Sequence, residues 1–138
     1  MASSVQSINA CFSPQAAETS AILRCMCVAV ESGLLPAVLE SDAKWVVDAI
    51  NDNCPSSADI GIIFRDILCI VTEFVISVTF VSRKANKAAH ALAKLALFAD
   101  RTFLWKEDCP PCIQYVILDD SLSFFYEVPL SKNKQFMK

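Results

Sequence analysis

Glycine is scarce in this sequence, at 2 of 138 residues. Loops that bind phosphate groups of nucleotides need closely spaced glycines, and neither a GxxxxGK nor a GxGxxG pattern occurs. Positive charge is also limited, since 12 Lys and Arg stand against 15 Asp and Glu, giving a net charge of −3. The chain therefore lacks both a glycine-rich nucleotide loop and the overall basic character of a dedicated nucleic-acid-binding protein. Only a local basic patch is available for such contacts.

Long uninterrupted hydrophobic runs are missing as well. The most apolar stretch, residues 60–80, is interrupted by Arg65, Asp66 and Glu73, so we predict no membrane span and no membrane partner. The N-terminal region has no basic segment of the kind that begins a secretory signal. Seven cysteines at irregular spacing then indicate reduced thiols, and we predict an intracellular protein, nuclear or cytoplasmic.

Hydrophobic residues make up 54% of the chain, which is enough to bury one core. Ser13 and Pro14 form a helix-start signal, and Gly33 marks the end of that helix. Hydrophobic periodicity predicts a strand end at 5–10, a helix at 14–33, a strand at 36–40, helices at 43–51 and 58–72, a strand at 74–81 and a helix at 82–100. Strands separated by helices indicate an α/β fold with at least one parallel pair.

The hydrophobic periodicity becomes less regular over residues 101–138, which we predict to be a partly ordered C-terminal extension. Residues 113–118 are compatible with a short helix or a strand, and residues 132–138 are polar enough to be frayed. Cys109 and Cys112 in this extension form a CxxC motif, typical of a redox pair or of half a zinc site. A redox pair needs a helix start after a strand, which Pro110-Pro111 does not clearly predict.

Three polar side chains stand at positions suited to metal binding. Glu18 lies in the first turns of the first helix, Asp42 follows the strand at 36–40, and His90 lies one turn after Asn86. Each also has an ordinary structural explanation: Glu18 as a favourable charge near the helix start, Asp42 as a helix N-cap, and His90 as a packed helix residue.

Basic side chains precede and enter the last predicted helix. Arg83, Lys84 and Lys87, with Lys94 further along, are placed to contact phosphate groups. A solvated helix face explains the same pattern equally well.

Three segments taken together resemble consecutive motifs of the plant type of ribonuclease H domain, RNase H type 1, found in retroelement and reverse-transcriptase-associated proteins. The segments are Ser13-Pro14-Gln15-Ala16-Ala17-Glu18, Leu39-Glu40-Ser41-Asp42-Ala43-Lys44, and the run from Arg83 to Lys94 that contains Asn86 and His90. Their order and spacing also match. The segment from Trp105 to Pro111, with Asp119, is similar to the C-terminal part of these proteins.

This resemblance implies a mixed five-stranded sheet flanked by helices and hydrolysis of the RNA strand of an RNA–DNA hybrid. Four acidic residues of the family hold two Mg²⁺ or Mn²⁺ ions. Glu18 and Asp42 match two of these catalytic metal ligands, and His90 occupies the position of a third. By the same resemblance, Ser41 and Asn86 add polar contacts to a sugar or phosphate, so the predicted nucleic-acid-binding residues are Ser41, Arg83, Lys84, Asn86 and Lys87.

The sequence departs from the family pattern in two ways. His90 replaces a carboxylate and is a poor magnesium ligand, and the aspartate of the family's first strand has no counterpart. We therefore expect a partial domain over residues 4–100 that lacks the first two strands, with an unpaired edge along Ala37–Glu40 open to a protein partner. Hydrolysis is expected to be weak or lost. A catalytically inactive relic that binds nucleic acid or protein is the alternative, as is a gene fragment whose missing strands lie upstream.

Overall fold

The structure, a computed structural model, describes residues 3–5, 13–54, 60–98, 102–105, 108–125 and 136–137. Helices and short strands alternate through these parts, so the predicted α/β class is confirmed. The elements are β1 (Ser3–Val5), α1 (Pro14–Glu31), β2 (Ala37–Ser41), α2 (Lys44–Asn51), α3 (Gly61–Glu73), β3 (Ile76–Phe80), α4 (Lys87–Ala96), β4 (Phe103–Trp105), α5 (Pro111–Phe125) and β5 (Phe136–Met137).

Helix α1 begins and ends where the sequence predicts. The Ser13 hydroxyl accepts a hydrogen bond from the Ala16 N–H at 3.2 Å, and Pro14 occupies the first helical position. Gly33 has a φ of 67°, a left-handed conformation that glycine adopts without a Cβ penalty. The chain turns there, and the Leu34 N–H donates to the Ala29 carbonyl at 2.9 Å.

Strands β2 and β3 form the predicted parallel pair. They are in register from Ala37 opposite Ile76 to Ser41 opposite Phe80. Alternate residues on both strands are buried, which gives the sheet one apolar face. A parallel pair needs a long connection between its strands, and α2 and α3 supply it.

The main core lies between this apolar face and the first three helices. Residues from α1, α2 and α3 pack against the two strands in one cluster, whose most buried members are Met26, Val46, Phe64 and Ile67. A second, smaller cluster joins α4 and α5 through Ala88, Leu92 and Ile113. The segment predicted as a short helix or strand at 113–118 therefore belongs to a longer helix.

The outer edge of β2 differs from the prediction. Val38 and Leu39 pair in parallel with Phe136 and Met137 of β5, giving a three-stranded sheet in the order β3-β2-β5. The expectation of an unpaired edge along Ala37–Glu40 is wrong at these two residues, and so is the expectation of fraying at 136–137. The backbone of an edge strand carries unpaired N–H and C=O groups, and β5 offers them partners.

A separate two-stranded sheet joins two distant parts of the described chain. Strand β1 pairs antiparallel with β4, with Ser3 opposite Trp105 and Val5 opposite Phe103. The strand end predicted at 5–10 falls largely outside the described residues. Within the described ranges, the strands form one sheet of three strands and one of two.

Helix α4 is shorter than predicted, covering Lys87–Ala96 rather than residues 82–100. The preceding residues form a turn instead, in which the N–H groups of Ala85 and Asn86 donate to the Ser82 carbonyl at 2.9 and 3.1 Å. Arg83 and Lys84 accordingly lie in this turn and not on a helix face. The other predicted boundaries shift by a few residues, as is usual at helix and strand ends.

No helix within the described ranges combines the length and hydrophobicity needed to cross a bilayer.

The packing of α3 generates a stability prediction. Ile67 is 0% exposed in the main core, whereas Ile62 on the same helix is 68% exposed. We expect Ile67→Ala to lower the free energy of unfolding by about 2–5 kcal/mol, because truncation leaves a cavity. Ile62→Ala should change it by no more than about 0.5 kcal/mol. Urea unfolding of both variants measures the difference, and equal losses would contradict the described orientation of α3.

Candidate nucleic-acid interface

The carboxyl ends of β2 and β3 bring two polar turns to the same edge of the sheet. Asp42 follows β2 directly, and the turn at 82–86 follows β3. The Val81 N–H donates to the Ser41 carbonyl at 2.9 Å, so the pairing continues just past the end of β3. The sheet edge formed by Ser41, Asp42 and the turn at 82–86 is called the polar edge below.

A side-chain hydrogen bond links the two turns of the polar edge. The Asn86 amide Nδ2 donates to the Asp42 carboxylate Oδ1 at 3.2 Å, across 44 residues of sequence. Asp42 does not cap α2, since Ala43 is the N-cap residue and the Asp42 carboxylate makes no cap hydrogen bond to that helix. The N-cap explanation of Asp42 is therefore wrong. Its carboxylate holds the turn before α4 against the turn after β2.

Ser41 stabilises the turn on its own side of the polar edge. Its hydroxyl oxygen accepts a hydrogen bond from the Ala43 N–H at 3.2 Å, and the side chain is partly buried. This bond closes the tight step from β2 into α2. Ser41 thus sets the backbone from which the Asp42 carboxylate projects.

Glu18 lies on α1 and has a partner that the sequence pattern does not reveal. Its carboxylate Oε2 accepts a hydrogen bond of 2.6 Å from the indole N–H of Trp45, in the first turn of α2. Glu18 follows the first turn of α1, which contains no acidic residue, so its explanation as a favourable charge near the helix start stays a prediction. A partly buried indole usually finds an acceptor for its N–H, and that rule is the signal that could have identified the pair.

His90 lies on α4, one turn beyond Asn86. Its side chain is exposed, so the explanation of a packed helix histidine is wrong. Among the residues that the structure describes, no three His, Cys, Asp or Glu side chains lie together as a metal-binding group. Glu18, Asp42 and His90 are therefore not gathered into a three-ligand site.

Positive charge at the polar edge comes from Arg83 and Lys84. Both side chains are exposed, and neither has an ion pair within the described part of the chain. Lys87, at the start of α4, lies 3.7 Å from the Asp119 carboxylate on α5. The two basic residues of the turn are consequently the ones most available to an external anion.

Lys44 offers less charge to a ligand than its position suggests. Its ammonium group lies 2.7 Å from the Asp48 carboxylate and 5.8 Å from the ring centroid of Phe80. These interactions direct the lysine along α2 and over β3.

The architecture and the comparisons agree on the class of protein. A mixed α/β fold with a small sheet and flanking helices is consistent with a ribonuclease H-like fold. The model of the reverse transcriptase-like family matches residues 1–96, more than half of the chain. This chain therefore belongs to the reverse transcriptase-like family. No match is found among curated proteins.

The family match covers the whole polar edge. Glu18, Asp42, His90 and the turn at 82–86 all fall within residues 1–96, whereas β4, α5, β5 and the two cysteines of the CxxC motif lie beyond them. The predicted ribonuclease H-like relationship is confirmed at this level. The assignment to the plant type 1 subgroup stays a prediction.

The Glu18–Trp45 pair can be tested by a double-mutant cycle. Trp45→Phe removes the indole donor while keeping an aromatic ring, and Glu18→Ala removes the acceptor. We expect a coupling energy of about 1 kcal/mol in urea unfolding, because a charged acceptor strengthens the hydrogen bond. Glu31→Ala, at the far end of α1, is the control and should be additive with Trp45→Phe. A cycle with no coupling would show that the hydrogen bond contributes nothing to stability.

Proposed function

We propose that this chain binds nucleic acid at the polar edge, with an RNA–DNA hybrid as its preferred ligand. Membership of the reverse transcriptase-like family supports a nucleic-acid-related function in general. The observation that carries the proposal is the Asn86–Asp42 hydrogen bond of 3.2 Å. It holds the turn that carries Arg83 and Lys84 beside the carboxyl end of β2.

The chemistry of the polar edge suits a sugar–phosphate backbone. The exposed Arg83 guanidinium and Lys84 ammonium supply donors and positive charge for phosphate oxygens. The Ser41 hydroxyl and the Asn86 amide belong to the same polar edge, and such groups pair with ribose hydroxyls or phosphates. A 2′-hydroxyl both donates and accepts hydrogen bonds, so it is the group by which this edge would distinguish an RNA strand from DNA.

The donor set does not fit the two-ion site that the family resemblance implied. Two adjacent Mg²⁺ ions need several carboxylate oxygens that are free and convergent. Only Glu18 and Asp42 match the four carboxylates that the resemblance implied, and one oxygen of each accepts an N–H, from Trp45 and Asn86 respectively. The third matched position is an exposed His90, whose imidazole is a poor Mg²⁺ ligand. We therefore propose binding with weak or no hydrolysis.

The binding proposal predicts a specific electrostatic signature. We expect Arg83→Ala/Lys84→Ala to weaken binding to an RNA–DNA hybrid roughly tenfold near physiological salt. The slope of log K against log salt should become shallower by about 1 for each phosphate that the variant no longer neutralises. Fluorescence anisotropy with a labelled hybrid, and with duplex DNA of the same sequence, measures both quantities.

A charge-matched control separates a local interaction from a change in net charge. Arg24→Ala/Arg65→Ala removes two exposed cations from α1 and α3. This control should bind the hybrid with nearly the wild-type salt slope. If the two double variants weaken binding equally, the polar edge is not the binding site. Equal affinity of the wild type for hybrid and duplex DNA would contradict the ligand preference.

The proposed loss of hydrolysis is tested separately from binding. With Mg²⁺ or Mn²⁺ added, we expect cleavage of the RNA strand of a hybrid to stay near background in both the wild type and Asp42→Asn. An active ribonuclease H serves as the positive control, and gel analysis of end-labelled RNA is the readout. Robust cleavage that Asp42→Asn abolishes would overturn this part of the proposal while leaving the binding site intact.

A further inference from the structure

Cys109 and Cys112 lie where the chain passes from β4 into α5, beyond the residues that the family model matches. Helix α5 begins at Pro111, so Cys112 is the second residue of a 15-residue helix. The Ile113 N–H donates to the Pro110 carbonyl at 3.0 Å, which closes the first turn between the two cysteines. The helix start after a strand, which the sequence does not clearly predict, is present.

The two cysteines share this turn but differ in exposure. The Cys112 side chain is exposed, and it lies at the helix end where backbone N–H groups favour negative charge. Cys109 is partly buried and packs against the α4–α5 cluster of Ala88, Leu92 and Ile113. An external reagent therefore reaches the Cys112 sulfur first.

The environment of Cys109 disfavours its thiolate form. Burial raises the pKa of the Cys109 thiol, and the electrostatic effect of Cys112 raises it further. The Cys109 Sγ also lies 3.5 Å from the Pro110 carbonyl, to which the thiol donates. Cys109 thus forms a thiolate less readily than a free cysteine does and lies next to an exposed thiol, as expected of a resolving cysteine that acts second.

We propose that Cys109 and Cys112 form a reversible dithiol–disulfide pair that exchanges with small disulfides such as oxidised glutathione. The Cys112 thiolate attacks one sulfur of the small disulfide, whose S–S bond breaks and releases one thiol. The resulting mixed disulfide is then attacked by the Cys109 thiolate. An S–S bond forms between the two cysteines, and the second small thiol leaves. The two protein thiols lose two electrons and two protons, which the two released thiols receive.

A zinc site is less well supported by the same residues. Structural zinc is held by four ligands, and the described residues contain no group of three metal-ligating side chains. The pair needs no further ligand to act as a dithiol.

The exchange can be followed on the full chain by mass spectrometry. The protein is equilibrated with reduced and oxidised glutathione at a series of ratios, quenched with acid and alkylated. We expect the peptide containing residues 109–112 to lose two hydrogens and both alkylation sites as the buffer becomes more oxidising. Cys54 and Cys69, which are also exposed, should carry only glutathione adducts or alkyl groups.

Single substitutions test the order of the two steps. Cys109→Ser should trap a glutathione adduct at Cys112, because the second attack cannot occur. Cys112→Ser should leave Cys109 alkylated more slowly than Cys69. A wild-type protein that accumulates glutathione adducts at 109 and 112 without a bridge would overturn the proposal. So would an identical bridging equilibrium in protein unfolded by urea, since the helix start would then play no part.

Discussion

The in-register parallel pairing of β2 and β3 is the constraint on which the polar edge depends. Strands that run in the same direction end at the same edge, so the residues that follow them become neighbours whatever their distance in sequence. Ser41 pairs opposite Phe80, and the segments after both strands emerge together. Helices α2 and α3 form the long connection that two parallel strands need, and they also cover the apolar face of the sheet. Without this pairing, Asp42 and Asn86 would have no reason to meet.

Local signals and long-range interactions explain which parts of the fold the sequence could predict. Helix α1 is predictable because Ser13, Pro14 and Gly33 act on their own neighbours, and the alternation in β3 is equally local. The start of α4 is not predictable in this way, because Asn86 bonds both to the preceding turn and to Asp42, 44 residues away. The pairing of β5 with Val38 and Leu39 is also non-local, since a polar terminal segment carries no signal for a particular strand edge.

In the candidate site, too, the sequence predicts which residues are placed there but not which groups they bond to. The sequence identifies Glu18 and Asp42 as carboxylates on rigid elements, and the structure places both near element ends. The sequence does not reveal that each carboxylate accepts a hydrogen bond from an N–H group, of Trp45 and Asn86 respectively. A single hydrogen bond uses only part of the acceptor capacity of a carboxylate, but it fixes the direction in which the group points. Here the two carboxylates serve to align helix α2 and the turn at 82–86, which is the positioning that the proposed binding surface requires.

Helix α4 connects the polar edge to the cysteine pair. One face of α4 carries Ala88 and Leu92 into the cluster with Ile113 of α5, directly after the turn between the cysteines. Its start carries Asn86 as N-cap residue and Lys87, whose ammonium group lies 3.7 Å from Asp119 of α5. Closing a disulfide over one helical turn constrains little of the unfolded chain, so its effect on stability is small compared with a long-range bridge. Its effect is instead on the first turn of α5, whose Ile113 packs against α4. The turn at 82–86 and the cysteine pair therefore each adjoin one of two helices that pack on each other.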